Sequence, residues 1–296
     1  MSLSLVGCNG VNTPDSPLDA AAATLSGIVP SNNPDFRLPA RVTLCGEEFD
    51  LKRQSVYERL ESEFLRLVNH PSQVALWQRR AAVYFPHIEK ELKAAGLPDD
   101  LKYLAVAESD LRPWIASPAG AVGLWQFMPA TARHYELTVN KKIDERHLPE
   151  PLLTAALNYF RNLQARFGTW SLALAAYNAG EGRIGKALET QKVNSYFDLD
   201  LPRETERYVY RIAAIKVVME NAGHYGLSRS VPLKRYQNQQ FVERRVNVPK
   251  GGKVTWAKLA QQLKCDYKTL RLLNPQIQEA QLTAGSYLLR VPTTSR

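Results

Sequence analysis

The sequence predicts a mainly α protein that ends in a small mixed unit of two strands and two helices. Three observations carry that prediction. Apolar residues recur at helical spacing from about Ser55 to Gly226, strand-like alternation is nearly absent from the same stretch, and the texture changes past Gln240. The 296-residue chain is 45% hydrophobic and 23% charged, which excludes wholesale disorder.

Taken in order, Met1 to Gly10 has no basic leader and only seven residues before Cys8, so it is not an intact secretory signal. Leu5-Val6-Gly7-Cys8 is similar to the bacterial lipobox, in which the cysteine is lipidated; the plain alternative is an unmodified chain start. Residues 1–50, rich in Pro, Ser, Asn and Ala, are expected to form an irregular tether. Residues 51–228 form the expected helical domain, with helical periodicity in 56–68, 74–95, 100–108, 151–167, 170–179 and 204–222. Gly96-Leu97-Pro98 and Phe167-Gly168-Thr169 break that pattern, as helix stops do. Residues 229–240 are polar and basic and read as a linker. In 241–292, Phe241 to Val248 alternates like a strand, 256–264 and 267–273 read as helices, and Ser286 to Val291 reads as a second strand, giving βααβ.

No window reaches the ~18 apolar residues of a membrane-spanning helix. Cys8, Cys45 and Cys265 are odd in number and widely spaced, and the five histidines form no cluster at ligand spacing. Neither a metal nor a cofactor is expected, and a Cys45–Cys265 pairing stays open. Lys and Arg number 38 against 29 Asp and Glu, for a net charge of +9. Residues 241–296 hold ten of those bases against three acids, as in a tail attracted to a polyanion; a solvated basic surface explains the same charge. Nucleic acid is not an expected partner, because no recognition signature accompanies the charge.

Asp99 and Asp100 give an N-cap signal for a short helix in which Leu101, Leu104, Ala105 and Glu108 share one face. Glu108 thus falls on the core-facing stripe near the helix C-terminus. Burial and the negative end of the helix dipole both oppose its charge, so its pKa should rise toward the range of a general acid. The structural alternative is a Glu paired with a buried Arg or reaching solvent at a frayed end. Downstream, Ser117-Pro118-Ala119-Gly120-Ala121-Val122-Gly123-Leu124-Trp125-Gln126-Phe127-Met128-Pro129 suits a wall where backbone approaches a ligand and an aromatic forms a floor; a tight loop with buried Trp125 and Met128 suits it equally. Tyr177 sits at the end of an apolar helix, and Asn178-Ala179-Gly180 reads as a helix stop.

Glu108-Ser109, the Ser117-to-Pro129 run and Ala176-Tyr177-Asn178-Ala179-Gly180 together resemble the family 1 lytic transglycosylases, closest to the membrane-bound type D branch, over about residues 85–227. Leu201-Pro202-Arg203-Glu204-Thr205-Glu206-Arg207-Tyr208-Val209 resembles that family's late helix. The resemblance implies a goose-type-lysozyme-like helical fold and cleavage of peptidoglycan glycan strands at the bond between N-acetylmuramic acid and N-acetylglucosamine. It makes Glu108 the catalytic acid and then base, places Ser117, Gln126 and Met128 in the sugar sites, sets Tyr177 and Asn178 near the scissile bond, and makes Glu204 and Tyr208 supporting cleft residues. Many relatives have Met where this chain has Trp125. The tail is similar to a LysM module around Val246-Asn247-Val248, Leu259-Ala260, Leu273-Asn274-Pro275 and Leu288 to Pro292, although Lys253-Val254-Thr255-Trp256 departs from its usual turn.

A two-carboxylate glycosidase needs groups about 5–9.5 Å apart. The only candidate near Glu108 in sequence, Asp110, would point some 200° away on a continuous helix. One carboxyl would then serve twice, giving a 1,6-anhydro product without water. A lysozyme-type hydrolase and a non-catalytic peptidoglycan-binding protein are the competing readings. The expected setting is the bacterial envelope, periplasmic and anchored through Cys8 to the outer membrane, with the protein a monomer and its tail on wall sugars, anionic wall polymer or lipid.

Overall fold

The computed structural model describes residues 36–227 and 241–293. The lipobox-like segment, most of the expected tether and the expected linker lie outside the described residues.

The packed body begins earlier than the composition of its first fifty residues suggests. Strands β1 (Thr43–Leu44) and β2 (Glu47–Glu48) pair as a small antiparallel hairpin, and Val42, Leu44 and Phe49 are buried in the main core. The hairpin is held by polar contacts that its sequence does not announce. Lys216 Nζ donates to the Thr43 carbonyl at 3.0 Å, the Cys45 amide donates to Asp100 at 2.7 Å, and the Glu47 carboxylate accepts the Trp170 and Ser171 amides. The tether expectation therefore fails for residues 42–49.

Helices α1 (Gln54–Val68) and α2 (Pro71–Ala94) follow, then α3 (Lys102–Ser109), α4 (Pro129–His134), α5 (Pro149–Phe167), α6 (Trp170–Ala179), α7 (Glu181–Gln191) and α8 (Arg203–Glu220). The glycine stops read from sequence hold. Gly168 ends α5 at φ 75°, and Thr169 Oγ1 then caps α6 by accepting the Leu172 amide. Asp99 and Asp100 do not cap a helix as expected. They begin a 3-10 turn, Asp99–Leu101; Asp99 accepts from Lys102 Nζ, and Asp100 accepts from Cys45 and Lys216. Helix α7 escaped the periodicity reading because Gly182 and Gly185 dilute its pattern and only Ile184 is buried.

Helices α6 and α8 line the core and carry its most apolar runs. α6 buries every residue from Trp170 to Ala176, and α8 buries Val209, Tyr210, Ile212, Ala213, Ala214, Ile215, Val217 and Val218. α3 is buried on nearly all sides, so a polar group on it meets protein rather than water.

The C-terminal unit is βααβ: β3 (Phe241–Thr255), α9 (Trp256–Gln262), α10 (Tyr267–Leu273) and β4 (Gln281–Pro292). The strands pair antiparallel, from Phe241 opposite Pro292 to Val248 opposite Gly285, with a bulge before Lys253 rejoins opposite Thr283. The unit has a separate small core around Trp256, Leu259, Leu270, Leu282, Tyr287 and Leu289. Asn274, fully buried, stitches its loop to β4 by donating to the Arg290 carbonyl and accepting the Arg290 amide. Among the described residues no helix is long and apolar enough to cross a membrane. Cys45 and Cys265 are both free thiols.

Candidate active site

Glu108 occupies the last turn of α3, one residue from its end, with Asp110 closing the helix in the left-handed conformation at φ 52°. Glu108 faces α8. There the Tyr208 hydroxyl donates a short hydrogen bond to Glu108 Oε1. The Glu108 side chain keeps a narrow opening to solvent while protein surrounds most of it. Its carboxyl is pushed from 4.5 up to about 7, first by burial; the Tyr208 hydrogen bond and the Arg211 charge pull it back down, and the Glu204 charge pushes it up. A carboxyl at that value exchanges its proton near neutral pH, as acid and base duty in turn require.

Helix α8 presents Glu204, Tyr208 and Arg211 at i, i+4 and i+7, one stripe running past Glu108. Tyr208 is buried, whereas Glu204 and Arg211 are exposed. Arg211 has no ion-pair partner among the described residues, in contrast to Arg207, which pairs with Glu63 at 2.5 Å. The sequence reading missed Arg211; its spacing from Glu204 and Tyr208 was the available signal.

The second wall comes from α6. The Tyr177 hydroxyl donates to the Trp125 carbonyl at 2.5 Å and feels the Glu108 charge, tying the 117–129 loop to the carboxyl's surroundings. Burial raises the pKa of both Tyr177 and Tyr208 far above the ordinary phenol value, so both remain hydrogen-bond donors. Asn178 follows at the partly exposed end of α6 before Gly180 terminates it at φ 90°.

Asp110 is occupied elsewhere. Its carboxylate accepts from Trp77 Nε1 at 2.8 Å and Arg112 Nη2 at 2.9 Å, and its carbonyl accepts from Arg80 at 2.9 Å. It is a structural corner and not a second acid. The carboxylate whose charge does act on Glu108 is Glu204, which lies 96 residues along the chain from it.

The loop residues take more structural parts than the sequence suggested. Ser117 Oγ accepts the Ala121 amide at 3.0 Å, and Gln126 Nε2 donates to the carbonyls of Ile115 and Gly123, at 3.2 and 2.9 Å. Gln126 itself has φ 47°, a left-handed conformation that those two bonds sustain. Trp125 is not an exposed floor: it is fully buried with its ring edge-on to Phe160 at 5.4 Å, because the loop folds inward between α5 and α6. Met128 is 43% exposed and is the apolar side chain that the loop leaves open. Among the described residues, no group of His, Cys, Asp and Glu is placed to hold a metal ion.

The helical body thus presents a largely buried carboxyl at a helix end, bonded by a tyrosine from a late helix. Residues 85–198 match the Transglycosylase SLT domain family, in line with the resemblance read from the motifs. The chain is 36% identical over 172 residues to membrane-bound lytic murein transglycosylase D of Escherichia coli K12, an overlap of 56% of this chain and 37% of that relative. It is 35% identical over 86 residues to the soluble lytic murein transglycosylase of Salmonella typhimurium, covering 27% of this chain and 13% of the other. The chain thus spans little more than a third of the first relative. The crystal structure of the 70 kDa soluble lytic transglycosylase of Escherichia coli overlaps 58% of this chain and 32% of that one, at 21% identity and a TM-score of 0.42.

Proposed function

We propose that the chain is a peptidoglycan lytic transglycosylase, cutting the β-1,4 bond between N-acetylmuramic acid and N-acetylglucosamine with Glu108 as its sole proton carrier. The observation that supports it best is a carboxyl held at about 7 beside a tyrosine donor, with Asp110 engaged by Trp77 and Arg112. Protonated Glu108 gives its proton to the departing glycosidic oxygen while the substrate's own N-acetyl carbonyl steadies the positive charge at C1. The carboxylate so formed accepts the Tyr208 hydrogen bond, then removes the proton of the muramic-acid C6 hydroxyl as that oxygen attacks C1. The Glu108 proton is thereby restored, and the product carries a 1,6-anhydro ring. Tyr177 and Asn178 would position the scissile bond, Met128 would offer an apolar face to the sugar, and Ser117 and Gln126 would shape the loop beside it.

A hydrolytic reading has one observation in its favour: the Glu204 charge acts on Glu108, and as a second carboxylate Glu204 would hold a water. Mass spectrometry of the fragments released from sacculi separates the two. Anhydro ends, lighter by one water, support the transglycosylase; reducing ends support hydrolysis; release by Glu108→Gln at the wild-type rate rejects both.

The setting belongs to the same proposal: the bacterial envelope, with periplasmic action and a lipid on Cys8, supported by the membrane-bound relative and the lipobox-like tetrapeptide. The C-terminal unit would hold the wall as a LysM-like module. Arg244, Arg245, Lys250, Lys253, Lys258, Lys264 and Lys268 are exposed and make no ion pair among the described residues, which supports a contact with anionic wall polymer or lipid. Release of the full chain from sacculi by salt alone would reject sugar-specific recognition.

A further inference from the structure

The C-terminal unit is seated on the helical body, and the seat is the segment that clamps the active-site loop. The Gln278 amide donates to the Lys142 carbonyl at 3.0 Å, the Asp144 amide donates to the Gln276 carbonyl at 2.7 Å, and Ile143 and Ile277 form an antiparallel bridge between them. Side chains flank this backbone seam. Lys142 Nζ reaches the Ala284 carbonyl at 3.1 Å, and Arg290 pairs with Glu150 at 3.1 Å.

On the other side of Asp144 the contacts lead inward. Its carboxylate accepts from Arg146 Nε at 2.9 Å and Arg146 Nη2 at 2.7 Å, and both side chains are buried. Arg146 Nη1 donates to the carbonyls of Gly120 and Phe127, at 2.7 and 2.8 Å, gripping the 117–129 loop at two points. Phe127 and Val122 exchange backbone hydrogen bonds at 3.1 Å across the turn that carries Trp125 and Gln126. The Trp125 carbonyl in turn receives the Tyr177 hydroxyl. Hydrogen bonds, joined by the covalent backbone from Phe127 to Trp125, therefore link Gln276 in the tail to the tyrosine beside Glu108.

The geometry points to a second role for the tail: docked through Gln276–Gln278, it is a positioning element of the active site, acting through Asp144 and Arg146 on the substrate loop. A module that served only as a wall anchor would need no backbone seam with the body it anchors. With the seam open, Asp144 loses the neighbour that fixes its backbone, the guanidinium it orients gains freedom, and the loop samples geometries in which the glycan is misplaced relative to Glu108. Small misplacements of that kind lower turnover more than they lower binding. The kinetic arm of this inference rests on the glycan-cleaving function proposed above; its structural arm does not.

The test uses the full chain. Gln278→Pro deletes the N–H that reaches Lys142, while Gln278→Ala keeps it and is the conservative control. Independently, Glu150→Arg and Arg290→Glu each place like charges across the seam, and the double reversal restores an ion pair. Hydrogen exchange at the Val122, Gly123 and Phe127 amides reports the loop, and exchange within α9 shows whether the tail stays folded. Turnover is read on soluble glycan oligomers, for which wall anchoring is irrelevant. Gln278→Pro and each single reversal should speed loop exchange severalfold and lower kcat roughly three- to tenfold, with KM changed less than about twofold. Gln278→Ala and the double reversal should match wild type. If Gln278→Pro unfolds the tail, the reversal pair decides. Unchanged loop exchange and kcat in the single reversals, with only sacculus binding lost, would overturn the inference. A wild-type chain that cleaves no glycan would instead reject the proposed function and leave the exchange measurements to judge the brace.

Discussion

Removing the Tyr208 hydroxyl tests the electrostatics of Glu108 with one atom. Burial holds that carboxyl at about 7, and the hydrogen bond from Tyr208 is the largest influence in the opposite direction. A hydrogen bond to a charged group contributes about 1.5–3 kcal/mol, and 1.4 kcal/mol is a factor of ten in affinity. Tyr208→Phe should therefore raise the proton affinity of Glu108 roughly ten- to hundredfold. The sign is definite: the loss falls on the carboxylate, so the acid form persists to higher pH. Since kcat/KM reports ionisation of the free enzyme, its alkaline fall, set near 7 in the wild type, should move up by about one to two pH units. The rate at the optimum should drop about tenfold or more, because the carboxylate formed in the first step loses its donor. Initial rates on a soluble glycan across pH, with far-ultraviolet circular dichroism as a fold check, measure both. An alkaline limb that stays in place or moves down refutes the reasoning.

Other variants carry their own signs. Arg211→Gln removes a charge that favours the carboxylate and should move the alkaline limb up, whereas Glu204→Gln removes one that opposes it and should move the limb down; the same pH profiles check both. Glu108→Gln should stabilise the fold above neutrality. A carboxyl raised from 4.5 to about 7 by folding stabilises fully below the lower value and loses that contribution as pH rises through the higher one, a difference of about 3 kcal/mol. Urea titrations of wild type and variant should accordingly differ least near pH 4, draw apart as pH rises from 4.5 to about 7, and keep a constant difference above that. Gly123→Ala should destabilise by about 2–6 kcal/mol. Gly123 has φ +88°, and a Cβ there would lie 2.2 Å from the Arg146 carbonyl oxygen and 2.5 Å from Leu152 Cδ2; a thermal melt matching wild type would contradict that packing.

Legibility in the sequence followed the range of the interactions. The position of Glu108 on the apolar stripe of α3 and its raised pKa were readable because helical spacing and burial are local properties. The glycine stops at Gly168 and Gly180 were readable for the same reason, as was the βααβ order of the tail. The partners of Glu108 were not: Tyr208 and Glu204 entered through motif resemblance, and Arg211 was overlooked because an exposed arginine on a helix carries no signal until a carboxyl faces it. Trp125 was ambiguous, since the same Gly-rich run serves an open wall or an inward fold, and packing against Phe160 decided for the second. The hairpin at 43–48 hid in a Pro- and Asn-rich stretch because its anchors, Lys216, Asp100 and the amides at the start of α6, are far away in sequence. The seam between residues 142–144 and 276–278 is made of backbone groups, which any sequence supplies.

The most direct measurement is the mass of the glycan ends released from purified sacculi by wild type and Glu108→Gln in parallel. A single proton carrier working without water predicts 1,6-anhydro ends from the wild type and no release by a folded Glu108→Gln variant. Reducing ends from the wild type, or anhydro ends still formed by the variant, would contradict it.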